Sequence, residues 1–265
     1  MGYGDSLLAS GIARKAHQKH PDKKIAIGDG NTIEWSEVFD GIPYLAREVT
    51  QGVRWVHSAK GFRPYIENER STKERLAWKR SFRAEPGELN LTEEELEIWP
   101  QTDFVYIEPN IKGWLGPNKD WGFEKWQAVV KFLPNIRFIQ GPGKKLDGVE
   151  QAQTDTFRQA CALLSKAALF VGTDGGLHHA AAALSKPAVV VWGGYTHPRN
   201  LGYDFHVNLQ ARGVEPCGSL TVCQHCKTAM DRVTVKEVIQ AIKSELRRIG
   251  TDPDSAKAGA AHSDY

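Results

Sequence analysis

Residues 170–194 constrain the fold more than any other part of this 265-residue chain: Phe-Val-Gly-Thr-Asp-Gly-Gly-Leu-His-His-Ala-Ala-Ala-Ala-Leu-Ser-Lys-Pro-Ala-Val-Val-Val-Trp-Gly-Gly. A short apolar run meets a Gly-rich turn, an Ala-rich helical stretch follows, and a second apolar run closes the segment. Two apolar runs without polar alternation read as strands buried on both faces, as parallel sheets covered by helices require. The turn at Asp174-Gly175-Gly176 then falls at the carboxyl end of the first strand, the edge where open α/β sheets bind ligands. Adjacent glycines allow close approach to the backbone, and a helix N-terminus offers unpaired N–H groups to an anion. The segment predicts a site for a phosphorylated ligand.

The same rhythm runs through the second half. Strands are predicted at 104–107, 136–140, 168–172, 188–192 and 206–209. A helix carries Phe123, Trp126, Val130 and Leu133 on one face and ends before Pro134; another carries Phe157, Ala160, Cys161 and Leu164. Thr234 and Glu237 form a capping box ahead of an amphipathic helix with Val235, Val238, Ile239, Ile242 and Leu246. The first half is less regular. A helix over 6–19, strands at 24–28 and 53–57, and a largely helical, polar stretch to about Trp99 are expected, with a second capping box at Thr92 and Glu95. The domain boundary is placed at residues 100–103, giving an N-terminal unit of 1–102, a C-terminal unit of 103–249, and a disordered tail at 250–265.

Charge excludes little by its total and more by its distribution. A formal net charge of +2 gives no reason to expect nucleic acid. No apolar run approaches the ~18 residues of a membrane span and no signal peptide opens the chain, so a cytoplasmic location is expected, with peripheral contact to the inner face of the membrane as a further possibility. Between Arg54 and Arg83, nine basic residues (Arg54, Lys60, Arg63, Arg70, Lys73, Arg75, Lys79, Arg80, Arg83) stand against Glu67, Glu69 and Glu74, interleaved with Trp55, Phe62, Tyr65, Trp78 and Phe82. That segment reads either as a solvated helical face or as a surface for an anionic acceptor or membrane headgroups.

Five stretches, in order, carry a family resemblance: Gly4-Asp-Ser-Leu-Leu, Ile107-Glu-Pro-Asn110, Pro117-Asn-Lys-Asp-Trp121, the 170–194 turn-helix, and Cys217 to Cys226. Together the set resembles glycosyltransferase family 9, the ADP-heptose:lipopolysaccharide heptosyltransferases, from Gly4 to about Leu246, with residues 30–100 matching least. The resemblance implies an α/β, GT-B-like fold of two Rossmann-like domains whose parallel sheets face each other across a cleft. The activity implied is inverting and metal-independent, needs no cofactor, and moves a sugar from a nucleotide-diphosphate-sugar to a glycan or lipopolysaccharide-type hydroxyl. An ADP-sugar, and heptose within it, is the family default for the donor. An anionic, lipid-linked acceptor would suit the basic segment.

Residue by residue, Asp5 matches the proposed base, which would take the acceptor proton. Its alternative is a helix cap. Lys119 matches the lysine at the donor phosphates, where an ammonium offsets leaving-group charge. Asp174 matches a residue that bonds donor hydroxyls, with the N–H groups of Gly175, Gly176 and Leu177 toward the diphosphate; an N-cap is its alternative. His179 matches a histidine that orients the turn or touches the donor. His178 stands where the family usually has an apolar residue and is given no role. Thr196, His197 and Arg199 are weaker donor-site candidates.

Cys217, Cys223 and Cys226 with His225 would suffice for a structural zinc, yet only one Cys-x-x-Cys pair exists and no metal is assigned. Lys227 after Cys226 rules out c-type haem attachment, and Gly141-Pro-Gly-Lys-Lys145 lacks the first Gly and the Ser/Thr of a P-loop. The chain departs from the family where a strand should precede Gly4, and a truncated or mis-assigned start is the expected cause. Two other readings stay open: a non-catalytic nucleotide-sugar-binding protein, and a nucleotide-sugar epimerase of the same architecture. Asp5 and Lys119 together favour transfer.

Overall fold

The computed structural model describes residues 1–100, 102–111 and 116–251. The predicted tail therefore lies outside the described residues from 252 onward, as does residue 101 in the expected boundary.

Six parallel strands form the main sheet in the order β5-β4-β3-β6-β7-β8. They are β3 (Val105–Ile107), β4 (Phe138–Gln140), β5 (Glu150–Gln151), β6 (Leu169–Thr173), β7 (Ala188–Trp192) and β8 (Val207–Gln210). The two apolar runs of the 170–194 segment are neighbours at the sheet centre, Phe170 opposite Ala188 and Thr173 opposite Val191. β3, β4 and β7 are buried at every position, so alternate side chains must fill two separate cores. On one face Val105, Val171, Val189 and Val191 pack under helices α3 (Phe123–Phe132) and α8 (Val235–Arg248). On the other, Tyr106, Phe170, Val190 and Trp192 pack under α4 (Phe157–Lys166) and α5 (Gly176–Ala183). The Thr234–Glu237 capping box opens α8 as predicted.

A second, two-stranded parallel sheet pairs β1 (Ile25–Gly28) with β2 (Arg54–His57), and α1 (Tyr3–Lys19) packs against both. No strand precedes α1 among the described residues. Two parallel sheets with intervening helices make the α/β, GT-B-like architecture that was expected. α1 also lies directly on α5, and Leu7, Ile25, Cys161 and Phe170 belong to one continuous apolar core. Arg158 of α4 fastens the same junction: it forms two 2.6 Å contacts with Glu95 of α2 (Glu93–Glu97) and donates to the carbonyls of Glu37 and Asn90.

Residues 58–99 overturn the helical expectation. They hold only a 3-10 turn at Asn68–Arg70 and the short α2. Pro64, Pro86, Gly61 and Gly87 interrupt any helical run, and no apolar stripe at helical spacing compensates. The segment 58–86 instead forms a strap laid on loops of the other half. Leu76 N–H donates to Gly218, Leu220 N–H to Glu74, and Ala84 N–H to Asn200, while Asn200 Nδ2 donates to Lys79 and Phe82. Its basic residues are solvent-exposed except Arg63, and Tyr65 and Trp78 turn inward.

Candidate active site

The 170–194 turn builds one wall. β6 ends at Thr173, Asp174 follows, and α5 starts at Gly176 after an extended Gly175 that caps it without a side-chain bond. Asp174 is therefore not the N-cap. Gly176 is needed for packing: a Cβ there would meet the Phe157 ring at 3.2 Å and Tyr3 Cβ at 3.6 Å. Gly175 has no such neighbour, and with Leu177 it remains partly accessible at the helix N-terminus. Those first-turn N–H groups have no partner within the helix.

Asp174 is 5% exposed, and its charge is matched by Lys119, whose Nζ lies 2.6 Å from Oδ2. Lys119 follows the 3-10 turn Gly116–Asn118, and its N–H donates to Gly116. The turn is fixed from below because Asn118 Nδ2 donates to the carbonyls of Ser219 and Thr221, and Asn118 Oδ1 accepts from Cys223 N–H. Trp121, two residues on, is buried and donates to Val233. The sequence pattern Lys-x-Trp thus joins one reactive side chain to one anchor. Lys119 Nζ also lies 5.2 Å from the centre of the Tyr195 ring.

His179 Nδ1 pairs with the Tyr203 hydroxyl at 2.8 Å, and its Nε2 lies 3.9 Å from Asp174 Oδ1. Burial pushes its pKa down to about 4 against the pull of Asp174, so the imidazole is neutral at pH 7. His178 is wholly buried, with both ring nitrogens unpartnered, and burial with the neighbouring His179 and His206 holds it well below the usual histidine range. The weaker candidates separate. Thr196 is buried with its hydroxyl unpaired, His197 caps α6 (Pro198–Leu201) by accepting from Arg199 N–H, and Arg199 is exposed.

Asp5 sits inside the first turn of α1, three residues after the N-cap Gly2, because the helix starts at Tyr3 and not at Ser6. Its Oδ2 accepts weakly from Gly2 N–H at 3.4 Å, so the capping alternative is present in part. The Tyr65 hydroxyl donates to Oδ1, and Arg63 Nε lies 3.1 Å from Oδ2. α1 carries Asp5 to the donor-side turn: a Cβ on Gly4 would touch the His179 ring at 2.9 Å, and Gly176 Cα lies 3.6 Å away. Tyr65 and Arg63 were not singled out from sequence. Both stand in the basic-aromatic segment, but no motif distinguishes them from its other aromatic and basic residues.

Two groups among the described residues bring three potential metal ligands within 4.8 Å of one another. In the first, Cys217 Sγ lies 3.2 Å from Cys226 Sγ and 3.8 Å from Cys223 Sγ. His225 is not with them; its Nε2 faces the Glu215 carbonyl at 2.9 Å. The second, Asp174, His178 and His179, already contains the Lys119 ammonium, which neutralises the carboxylate a cation would need.

The family model for glycosyltransferase family 9 (heptosyltransferase) matches residues 92–233, more than half of the chain. Two solved structures share the fold along almost all of it. One is the family 9 glycosyl transferase of Veillonella parvula (TM-score 0.65, 14% identity, 94% of this chain and 95% of that one). The other is the iron-containing dodecameric glycosyltransferase TibC of enterotoxigenic E. coli (TM-score 0.65, 14% identity, 94% and 75%). The E. coli heptosyltransferase WaaC, solved with ADP-2-deoxy-2-fluoro heptose, matches over 58% of this chain at 20% identity and TM-score 0.42; the chain spans only 45% of its length. No curated protein sequence matches. With the turn-helix, the Lys-x-Trp element and the parallel sheet falling inside the matched region, the chain belongs to glycosyltransferase family 9.

Proposed function

We propose that the protein transfers a sugar, heptose by family default, from a nucleotide-diphosphate-sugar to a hydroxyl of an anionic glycan or lipid-linked acceptor, with inversion and without a catalytic metal. One observation supports this reading: α1 brings Gly4, the residue before Asp5, against His179 and Gly176 of α5, at the turn where Asp174 meets Lys119. Residues 1–102 would form the acceptor side and 103–249 the donor side. The match to the heptosyltransferase family model supports a heptose donor.

In the proposed step, an acceptor hydroxyl gives its proton to Asp5 as its oxygen attacks the anomeric carbon. The bond from that carbon to the diphosphate oxygen breaks, and the nucleoside diphosphate leaves with the electron pair. Lys119 turns from Asp174 to the departing phosphate, joined by the N–H groups of Gly175, Gly176 and Leu177. Released from Lys119, Asp174 accepts from sugar hydroxyls, and neutral His179 supports the turn without adding charge. Asp5→Asn should retain ADP-heptose binding by calorimetry and lose transfer by at least 100-fold. Lys119→Ala should weaken donor binding. Equal donor affinity in Lys119→Ala and wild type removes Lys119 from the site; undiminished transfer by Asp5→Asn removes the base.

TibC is iron-containing, and the Cys217–Cys223–Cys226 thiols have the softness and mutual spacing to hold iron or zinc. A bound ion would cross-link the loop that fixes Asn118 and contribute no chemistry to transfer. Elemental analysis of the purified chain should find a thiophilic metal that Cys226→Ser loses; its absence from the wild type would defeat the assignment.

A further inference from the structure

We propose that Tyr65 is a positioning residue for Asp5: its hydroxyl fixes one carboxylate oxygen and with it the direction of the base. This rests on the reading of Asp5 as the base in transfer.

Tyr65 belongs to neither half's regular structure; its ring is held by two strap aromatics, one of them tied to the opposite half. It is 6% exposed and stacks on Trp78 (centroids 5.9 Å apart, planes at 20°), with Phe82 on another side at 5.8 Å. Trp78 is itself fixed to the opposite half, its Nε1 donating to the Tyr195 carbonyl at 2.9 Å and its ring meeting Tyr195 edge-on at 5.3 Å. With the ring so held, the hydroxyl has one orientation, and it donates to Asp5 Oδ1. Burial, reinforced by the Asp5 charge, raises the Tyr65 pKa well above its usual value, so the phenol remains the donor at any pH where the protein would act.

Packing explains the ring but not the hydroxyl, since phenylalanine would fill the same space. Arg63 plays a different part. Its Nε is close to Oδ2 but makes no hydrogen bond, so it lends charge without fixing direction. Tyr65 therefore holds Oδ1, while Oδ2 meets only the weak Gly2 N–H contact and the Arg63 charge. Arg63 and Tyr65 face Asp5 from the strap, His179 from α5 and Tyr195 from the loop after β7, with Asp174 and Lys119 beyond. Tyr65→Phe removes the hydroxyl that donates to Asp5 and, with it, the interaction of that hydroxyl with Arg63.

The test uses the full chain. In Tyr65→Phe, kcat for transfer from ADP-heptose to heptose-free lipopolysaccharide should fall about 10-fold or more, while the acceptor KM, ADP affinity and urea midpoint stay close to wild type. An unchanged kcat in Tyr65→Phe, or a fall matched by a loss of ADP affinity or of stability, overturns the proposal and leaves the transferase reading intact. Full transfer by Asp5→Asn overturns the base reading, and the proposal with it, whatever Tyr65→Phe shows.

Discussion

The six-stranded sheet and the strap at residues 58–86 satisfy their backbones in different ways. In the sheet, each strand's N–H and C=O groups pair with a neighbouring strand, and the apolar side chains between β3 and β8 are buried on two faces. The strap has no regular ladder: local bonds such as Glu67 N–H to Ala77 and Lys79 N–H to Tyr65 fold it on itself, and others tie it across the junction, Leu76 N–H to Gly218, Ala84 N–H to Asn200 and Leu220 N–H to Glu74. Its Trp78 ring is held there by Tyr195. A region built on a continuous ladder holds its shape from within. One built of short turns takes its placement from the surface it is tied to, and can set a side chain such as Tyr65 against a distant helix.

The sharpest way to break that comparison is at the junction. Arg158→Ala leaves the Glu95 carboxylate and three backbone carbonyls without their buried donor, and should cost about 3–5 kcal/mol in urea denaturation. A loss under 1 kcal/mol would mean that the halves do not depend on this contact. The next effect is on the sheet side and depends on pH. His179 and His206 titrate near 6.5 when unfolded, and burial depresses both to about 4 in the fold. Between those values the unfolded chain binds more protons, so stability is complete above pH 6.5 and falls as pH drops toward 4. Each histidine contributes up to about 3 kcal/mol of that loss, and urea midpoints at pH 7.5 and 4.5 should show it; equal midpoints would contradict the buried cluster. The smallest effect lies under the strap. Gly218 has φ +60°, and a Cβ there would collide with the Leu76 carbonyl. Gly218→Ala should cost about 2 kcal/mol and increase amide exchange at Leu76 and Leu220 before it does so in β6 or β7. Uniform exchange across both regions would show that the strap is no less self-sufficient than the sheet.

The difference also explains what could be read from residues alone. Continuous apolar runs announced β3, β6 and β7, and capping boxes announced α2 and α8, because those signals are local and the elements satisfy themselves. The two-residue β5, the short α6 and α7 (Gln224–Asp231) carry too little periodicity to stand out. Asp174, Lys119 and Asp5 were legible through motifs, and the structure brings Asp174 to Lys119 and the Asp5 helix to their turn. Thr196 was legible only by position after a strand, and its unpaired hydroxyl is a tertiary fact.

By itself, then, the sequence determined the parallel α/β frame, the family, and the turn-helix at 170–194, since each depends on side-chain pattern within a few residues. Tertiary structure alone decided where the 58–86 strap lies against the other half. It alone drew the three thiols of Cys217, Cys223 and Cys226 together and aimed Tyr65 at Asp5. Those outcomes rest on hydrogen bonds and ring contacts between residues far apart in the chain, which no local periodicity encodes.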